Sequence, residues 1–291
     1  VKNILPILTV VAAIVVIWYV AAVPMNAKWA QDQSARADTT LTTSELIADT
    51  WSQERPRLPA PHQVLSELWG STGAMALEGK AFSRRSLITH AWYTLSATAV
   101  GFLIGTMAGI LLAVGIVHSR AMDLGVMPWA IASQTIPILA IAPMIIVVLN
   151  SMGISGLIPK AIISAYLSFF PVVVGMVKGL RSPAMMDLDL MRTYSASQGQ
   201  TFWKLRLPAS MPYLFASLKV GIAAALVGTI VGELPAGAIR GLGARMLSGS
   251  YYGQTIQIWS ALFAAAILAA ILVGVIGMIQ RRTLKRMGME A

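Results

Sequence analysis

Cysteine is absent from the 291-residue sequence, which excludes disulfides, thiolate metal sites and cysteine nucleophiles. Histidine is scarce. His62, His90 and His118 stand far apart and none sits in a metal-ligand spacing, so each reads as a polar loop or membrane-interface residue. Charge is scarce too: 12% of residues are charged, about half the share of an ordinary soluble domain. The acids are outnumbered, 12 against 22 lysines and arginines. The apolar stretches hold no paired carboxylates and no histidine cluster, so a membrane enzyme lacks its acid, base and metal groups. A phosphate-binding loop is also missing. The nearest fragment, Gly79-Lys80-Ala81, has neither the upstream glycine nor the hydroxyl residue that touches magnesium. No catalytic residue, metal site or cofactor is expected.

What the sequence does have is long apolar runs, with 56% of residues hydrophobic. A helix needs about 20 apolar residues to cross a bilayer. The first run, Ile4 to Val23, is long for a signal peptide led by Lys2 and lacks a convincing cleavage pattern, so it reads as a retained transmembrane helix over 1–23. Five further spans are expected at 88–117, 124–149, 156–178, 211–232 and 258–280. The fold class is therefore all-α, a polytopic membrane protein of six transmembrane helices. Gly101, Gly105 and Gly109 recur at every fourth position. Either they let a neighbouring helix approach closely or they reflect chance in a glycine-rich chain. Pro137, Pro143 and Pro171 fall inside spans, where kinks would line a packed interior.

Between the first two spans lies a polar stretch, 24–87, expected as a periplasmic loop with short interfacial helices. Up to Arg85 its seven basic residues balance seven acidic ones. A helix is expected over Thr43 to Trp51, capped by Thr43 or Ser44. A second begins after Pro61, with Val64, Leu65 and Leu68 at helical spacing. Short loops set the orientation. Arg120 follows the second span, Arg181, Arg192, Lys204 and Arg206 follow the fourth, and Arg281, Arg282, Lys285 and Arg286 follow the sixth. Basic residues on alternate loops place both termini in the cytoplasm. The same pattern explains the net charge of +10 without nucleic acid as a partner.

The segment 179–211 is too long for a simple helix connection. Asp187 to Ala196 reads as a short amphipathic helix with Leu188, Met191 and Tyr194 on one side, followed by Phe202, Trp203, Leu205 and Leu207 leading into Pro208. Such a helix either docks a partner protein or packs under the bundle.

This stretch resembles the cytoplasmic motif of the permeases of type I ABC importers, an E-A-A followed by G-A and an L-P pair. Counting back from Leu207-Pro208, Asp189 takes the acidic position, Met191 the second alanine, Ser195 the glycine, and Ala196 follows it. Serine for glycine bears on the local turn, because only glycine visits positive φ cheaply. Further segments resemble the nitrate, sulfonate, taurine and pyrimidine-precursor subgroup: Leu58-Pro59-Ala60-Pro61, Ile136-Pro137-Ile138-Leu139, Phe169-Phe170-Pro171, Gly179-Leu180-Arg181-Ser182, and Glu233 with Gly241-Leu242-Gly243. The likeness runs from about residue 58 to the end, and 39–57 looks like extra sequence.

The resemblance implies an inner-membrane permease with a core domain over 88–283, a coupling loop at 179–211 and a cytoplasmic tail at 284–291. It also implies three partners: a cytoplasmic ABC ATPase dimer, a periplasmic solute-binding protein and a second permease copy. The ATPase would dock on Asp187, Asp189, Met191, Arg192, Tyr194, Ser195 and Ala196, with Leu207 and Pro208 closing the motif. Gln134, Thr135, Pro137, Ser164, Ser168 and Glu233 are the candidate pathway residues, Glu233 either closing a gate or holding a loop. Lys160 and Lys219 are read as lying near span ends and reaching the interface. A passive channel or scaffold is the rival function, though neither needs a docking loop. The substrate divides between sulfonate, nitrate or taurine and a pyrimidine-like nitrogenous solute, with Gly232 to Pro235 and Tyr251 to Gln254 leaning toward the latter.

Overall fold

A computed structural model describes residues 4–36, 38, 41–235 and 238–289. Lys2, the first two positions of the 39–57 segment and the last two of the 284–291 tail lie outside the described residues. Among the described residues regular structure is entirely helical. Five helices are long and apolar enough to cross a membrane, or six if one bent pair counts as a single span. The chain divides into two compact units, one of residues 1–90 and 244–265, the other of 91–243 and 266–291.

In the first unit, α1 (Ile4–Arg36) runs well past Val23, where the apolar stretch ends. Pro24 removes one backbone hydrogen bond without ending the helix, and the following Ala, Lys, Gln and Met residues favour helix. The extension matters because it carries Asn26, which is buried. The Asn26 Nδ2 donates to the carbonyls of Thr50 (3.0 Å) and Leu58 (2.8 Å), and its Oδ1 accepts from the N–H of Arg57 (2.8 Å) and Leu58 (3.1 Å). Two donors and two acceptor sites are the full capacity of a carboxamide. The 39–57 segment is thus held onto the helix it follows.

Helix α2 (Thr43–Ser52) is capped one residue earlier than expected, by Thr42. Its hydroxyl accepts from the Glu45 N–H while Glu45 accepts from the Thr42 N–H at 2.8 Å, a reciprocal box that satisfies two free donors. Helix α3 (Pro61–Trp69) includes Pro61 itself, where the sequence suggests a start after it, proline being well suited to a first helical turn. A wide turn, Gly70–Ala74, leads into the single turn α4 (Met75–Leu77). Glu67 on α3 is partly buried, which pushes its carboxyl above the usual range, with Arg245 pulling the other way. An aromatic seam completes the unit. Trp18 lies 4.9 Å from Trp259 and 5.8 Å from Phe263, and its Nε1 donates to the Pro59 carbonyl.

The second unit is built on three long helices: α5 (Leu87–His118), then after α6 (Arg120–Ser133) and α7 (Ile138–Ser151) comes α8 (Leu157–Leu180), and after α9 (Met185–Thr193) and α10 (Gln198–Thr201) comes α11 (Leu207–Glu233). The wide turn Phe202–Arg206 joins α10 to α11 without a break. Helix α12 (Leu242–Tyr251) falls almost wholly in the first unit, and α13 (Thr255–Arg286) belongs to the second from residue 266 on.

Small residues set the packing. A Cβ at Gly101 would strike Ser164, one at Gly105 would reach within 2.7 Å of the Ala165 carbonyl, and one at Gly109 within 2.9 Å of the Phe169 carbonyl. The fourfold glycine repeat is therefore the α5–α8 contact and not chance. Helix α8 also packs closely on α11: Gly179 meets Ser210, and Gly228 of α11 meets Ser164, which touches α5 as well. Below these seams Ala113, Ile116, Val172, Val173, Met176 and Leu180 form a buried cluster.

The third expected span, 124–149, is not one helix. Helices α6 and α7 meet at 97° across residues 134–137. Pro137 has no N–H to give and forces the residue before it out of helical geometry, so the chain turns there. Pro143, by contrast, sits inside α7 without breaking it.

Candidate functional site

The polar connection after α8 forms a short exposed helix. The expected helix over Asp187 to Ala196 in fact begins at Met185 and ends at Thr193. The reason for the early stop is visible at Ser195, whose φ is +52°. The Ser195 N–H donates to the Arg192 carbonyl at 2.8 Å and the Ala196 N–H to the Met191 carbonyl at 2.9 Å. This pair of bonds is the Schellman ending, which requires a left-handed residue where serine stands. Ser197 then caps α10, with Gln200 reaching back to the Ser197 N–H at 2.9 Å.

Nothing on α9 is buried. Met185, Met186, Leu190 and Tyr194 are exposed, while Leu188 and Met191 are half-buried. Asp189 pairs with Arg192 at 3.0 Å on the surface, and Asp187 opens the first turn. Two straps tie the connection to the helices: Arg206 Nη1 donates to the Leu180 carbonyl at 3.1 Å, and Arg181 pairs with Asp123 of α6 at 2.8 Å. Leu207 and Pro208 start α11, proline again in the first turn. The His118 ring meets Phe202 edge-on at 5.3 Å.

At the far end of α11, Glu233 is fully buried. The Thr94 hydroxyl lies 3.0 Å from both carboxylate oxygens, the Gly243 N–H donates to Oε2 at 2.8 Å, and the Lys160 ammonium stands 4.0 Å away. Thr94 in turn accepts from the Leu242 N–H at 2.9 Å, and Lys160 donates to the Arg240 carbonyl at 3.3 Å. Gly241, at φ +132°, passes against the carboxylate. These contacts tie the loop at Gly241–Gly243 to the end of α11 through one buried carboxyl group, met by hydrogen bonds and one cation.

The remaining pathway candidates separate. Gln134, Thr135 and Pro137 come together, exposed, at the α6–α7 bend. Ser164 and Ser168 are fully buried in the glycine seams, Ser164 donating to the Ala225 carbonyl and Ser168 to that of Ala165. They face helix contacts and no open surface. Lys219 does not lie near a span end. It stands in the middle of α11, thirteen residues from Arg206 and fourteen from Glu233.

Residues 105–287 match the family model described as "Binding-protein-dependent transport system inner membrane component". The chain belongs to this family of ABC importer permeases. Among its relatives, a probable ABC transporter permease protein of Haemophilus influenzae is 31% identical over 62% of this chain and 74% of its own length. The riboflavin transport system permease protein RibX of Chloroflexus aurantiacus is 29% identical over 77% of this chain and 78% of its own length. The formylaminopyrimidine transport permease protein ThiX of Halalkalibacterium halodurans is 30% identical over 55% and 62%.

The permease is thus a multi-pass membrane protein and a transport component, not an enzyme. The expected helix is present as α9 and Glu233 is buried, while three features of the permease carry no sequence signal. Thr94 was hidden because a lone threonine in an apolar run carries no signal. The Asn26 clamp was hidden because its partners are backbone groups. The Arg181–Asp123 strap joins residues 58 positions apart, and no local pattern announces such a pair.

Proposed function

We propose that this permease moves a small solute into the cell, received from a periplasmic binding protein and driven by a cytoplasmic ABC ATPase dimer that docks on α9. In this reading both termini face the cytoplasm, and two copies of the chain, related by the commonest oligomer symmetry, enclose the path. The ATPase pair closes on ATP and carries α9 with it. The Arg181–Asp123 and Arg206–Leu180 straps pass that displacement to α6, α8 and α11, which rock as rigid bodies.

The carrying observation is the character of α9. It is a well-capped helix with four exposed large apolar side chains and a surface ion pair. Asp187, Asp189, Met191, Arg192 and Tyr194 would supply the contact, and Ser195 and Ala196 its fixed end. A passive channel or scaffold has no use for such an element. Gln134, Thr135 and Pro137, at the α6–α7 bend, are the groups assigned to the path. For the solute, the relatives named for formylaminopyrimidine and riboflavin support a nitrogenous ring, while relatives named for aliphatic sulfonates, nitrate and taurine support an anion.

The test is co-purification of the ATPase. Asp189→Arg and Tyr194→Glu should abolish it while leaving membrane insertion intact. Retention of the ATPase at the wild-type level by both variants would refute the docking assignment.

A further inference from the structure

In helices α5, α7, α8 and α13 charge is absent or confined to the ends, and α11 differs. Helices α5 and α7 contain no Asp, Glu, Lys or Arg, α8 carries Lys160 and Lys178 within its first and last turns, and the basic residues of α13 begin at Arg281. In α11 the 26-residue stretch between Arg206 and Glu233 holds a single charge, Lys219, at its midpoint. At 1.5 Å per residue it lies about 20 Å along the axis from either flanking charge. Among the described residues it makes no ion pair. An ammonium in such a place is costly unless something of opposite charge meets it.

Its surroundings are shaped for it. The Lys219 Cε and Nζ lie 3.7 and 3.9 Å from where a Cβ of Gly277 would stand, so the lysine lies against α13 at a position without a side chain. Three residues on, the Gln280 Oε1 is buried with no hydrogen-bond partner. Helix α5 supplies a third group. Its stripe of Thr94 and Thr98 follows α11 in register, bonded to Glu233 and Thr229. Phe102, next on that stripe, packs on Gly221, two residues from Lys219. One turn further along is Thr106, whose Oγ1 is likewise buried and unpartnered. Two buried polar groups without a partner, each one turn from a residue that meets α11 near Lys219, need an explanation.

We propose that Lys219, with Thr106 and Gln280, forms an anion-recognition site on the translocation path, and that the transported solute carries a sulfonate, carboxylate or phosphate group. The ammonium meets the charge, the Thr106 hydroxyl donates to an anionic oxygen, and the Gln280 carbonyl oxygen holds the ammonium in place. This rests on the permease reading and decides its open substrate question for the anionic class. A lysine that only reached for the membrane surface would leave Thr106, midway along α5, out of contact with water.

The natural absence of cysteine allows a test that needs no knowledge of the solute. Thr106→Cys is placed in the otherwise unaltered chain, in membrane vesicles with its ATPase and ATP. Anionic sulfonatoethyl and cationic trimethylammonioethyl methanethiosulfonates are applied from either side. The thiol should react, and adding Lys219→Met should lower the anionic-to-cationic rate ratio at least tenfold, while Lys219→Arg preserves it. A thiol unreactive from both sides, or a ratio indifferent to Lys219→Met, overturns the proposal. ATPase co-purification reads the permease assignment separately, so the two failures are told apart.

Discussion

A side chain on Gly241 and the carboxylate of Glu233 would occupy the same space. The loop that leads into α12 is threaded so tightly around this buried acid that only glycine fits, and φ of +132° is costly for any other residue. Gly241→Ala should therefore displace either the loop or the carboxylate. The expected cost is about 3 kcal/mol, which lowers Tm by roughly 6–12 °C. Thermal unfolding of the detergent-solubilised protein measures it, and an unchanged Tm would contradict the arrangement.

The acid itself can be probed without changing its shape. Glu233→Gln keeps the volume but replaces one acceptor oxygen by an N–H₂ facing Thr94 or Gly243, and leaves Lys160 without its acid. A loss of about 2 kcal/mol is expected. Glu233→Ala should cost more, about 3–5 kcal/mol, and Lys160→Met added to Glu233→Gln should recover part of the loss. Equal unfolding temperatures for wild type and Glu233→Gln would show that the charge is not needed there.

Ser195 stands where the helix ending requires a left-handed residue. Ser195→Gly should stabilise the end of α9 by roughly 1 kcal/mol, and Ser195→Val should destabilise it. Hydrogen exchange over residues 185–197 is the measurement, with slower exchange expected for the glycine variant. Faster exchange in that variant would mean the serine side chain contributes more than its backbone strain costs.

Much of this architecture was legible in the sequence and some was not, for identifiable reasons. Apolar length alone located five long helices, because hydropathy over 20 residues is a strong signal. The third span is bent where one of its two expected proline kinks falls. The 97° bend is decided by Pro137 together with the turn at Gln134 and Thr135, and Pro143 shows that proline alone does not dictate a break. The motif serine was noted as a problem for positive φ, and the structure places it at positive φ. Helix α1 continues beyond its apolar run because polarity ends a membrane span without ending a helix. Ser164 and Ser168, polar and near Pro171, lie buried in the seams with Gly101 and Gly105, where small side chains let the helices approach.

Asn26 offers a test of the first unit on its own. Asn26→Ala removes four hydrogen bonds at a buried site, and Asn26→Asp sets a carboxylate against the carbonyls of Thr50 and Leu58. Each should cost roughly 3 kcal/mol or more and expose the 39–57 segment to protease. Wild-type resistance to limited proteolysis in both variants would mean that the clamp is not what holds the segment.

The central claim is that α9 faces the cytoplasm and is covered by the ATPase, and a single engineered thiol reads both parts. Met186→Cys, on the most exposed apolar position of α9, should react with a membrane-impermeant maleimide in inside-out vesicles stripped of ATPase. It should stay unreactive in right-side-out vesicles and become protected when the ATPase is restored. Labelling from the outer face, or labelling unaffected by the ATPase, would contradict the account.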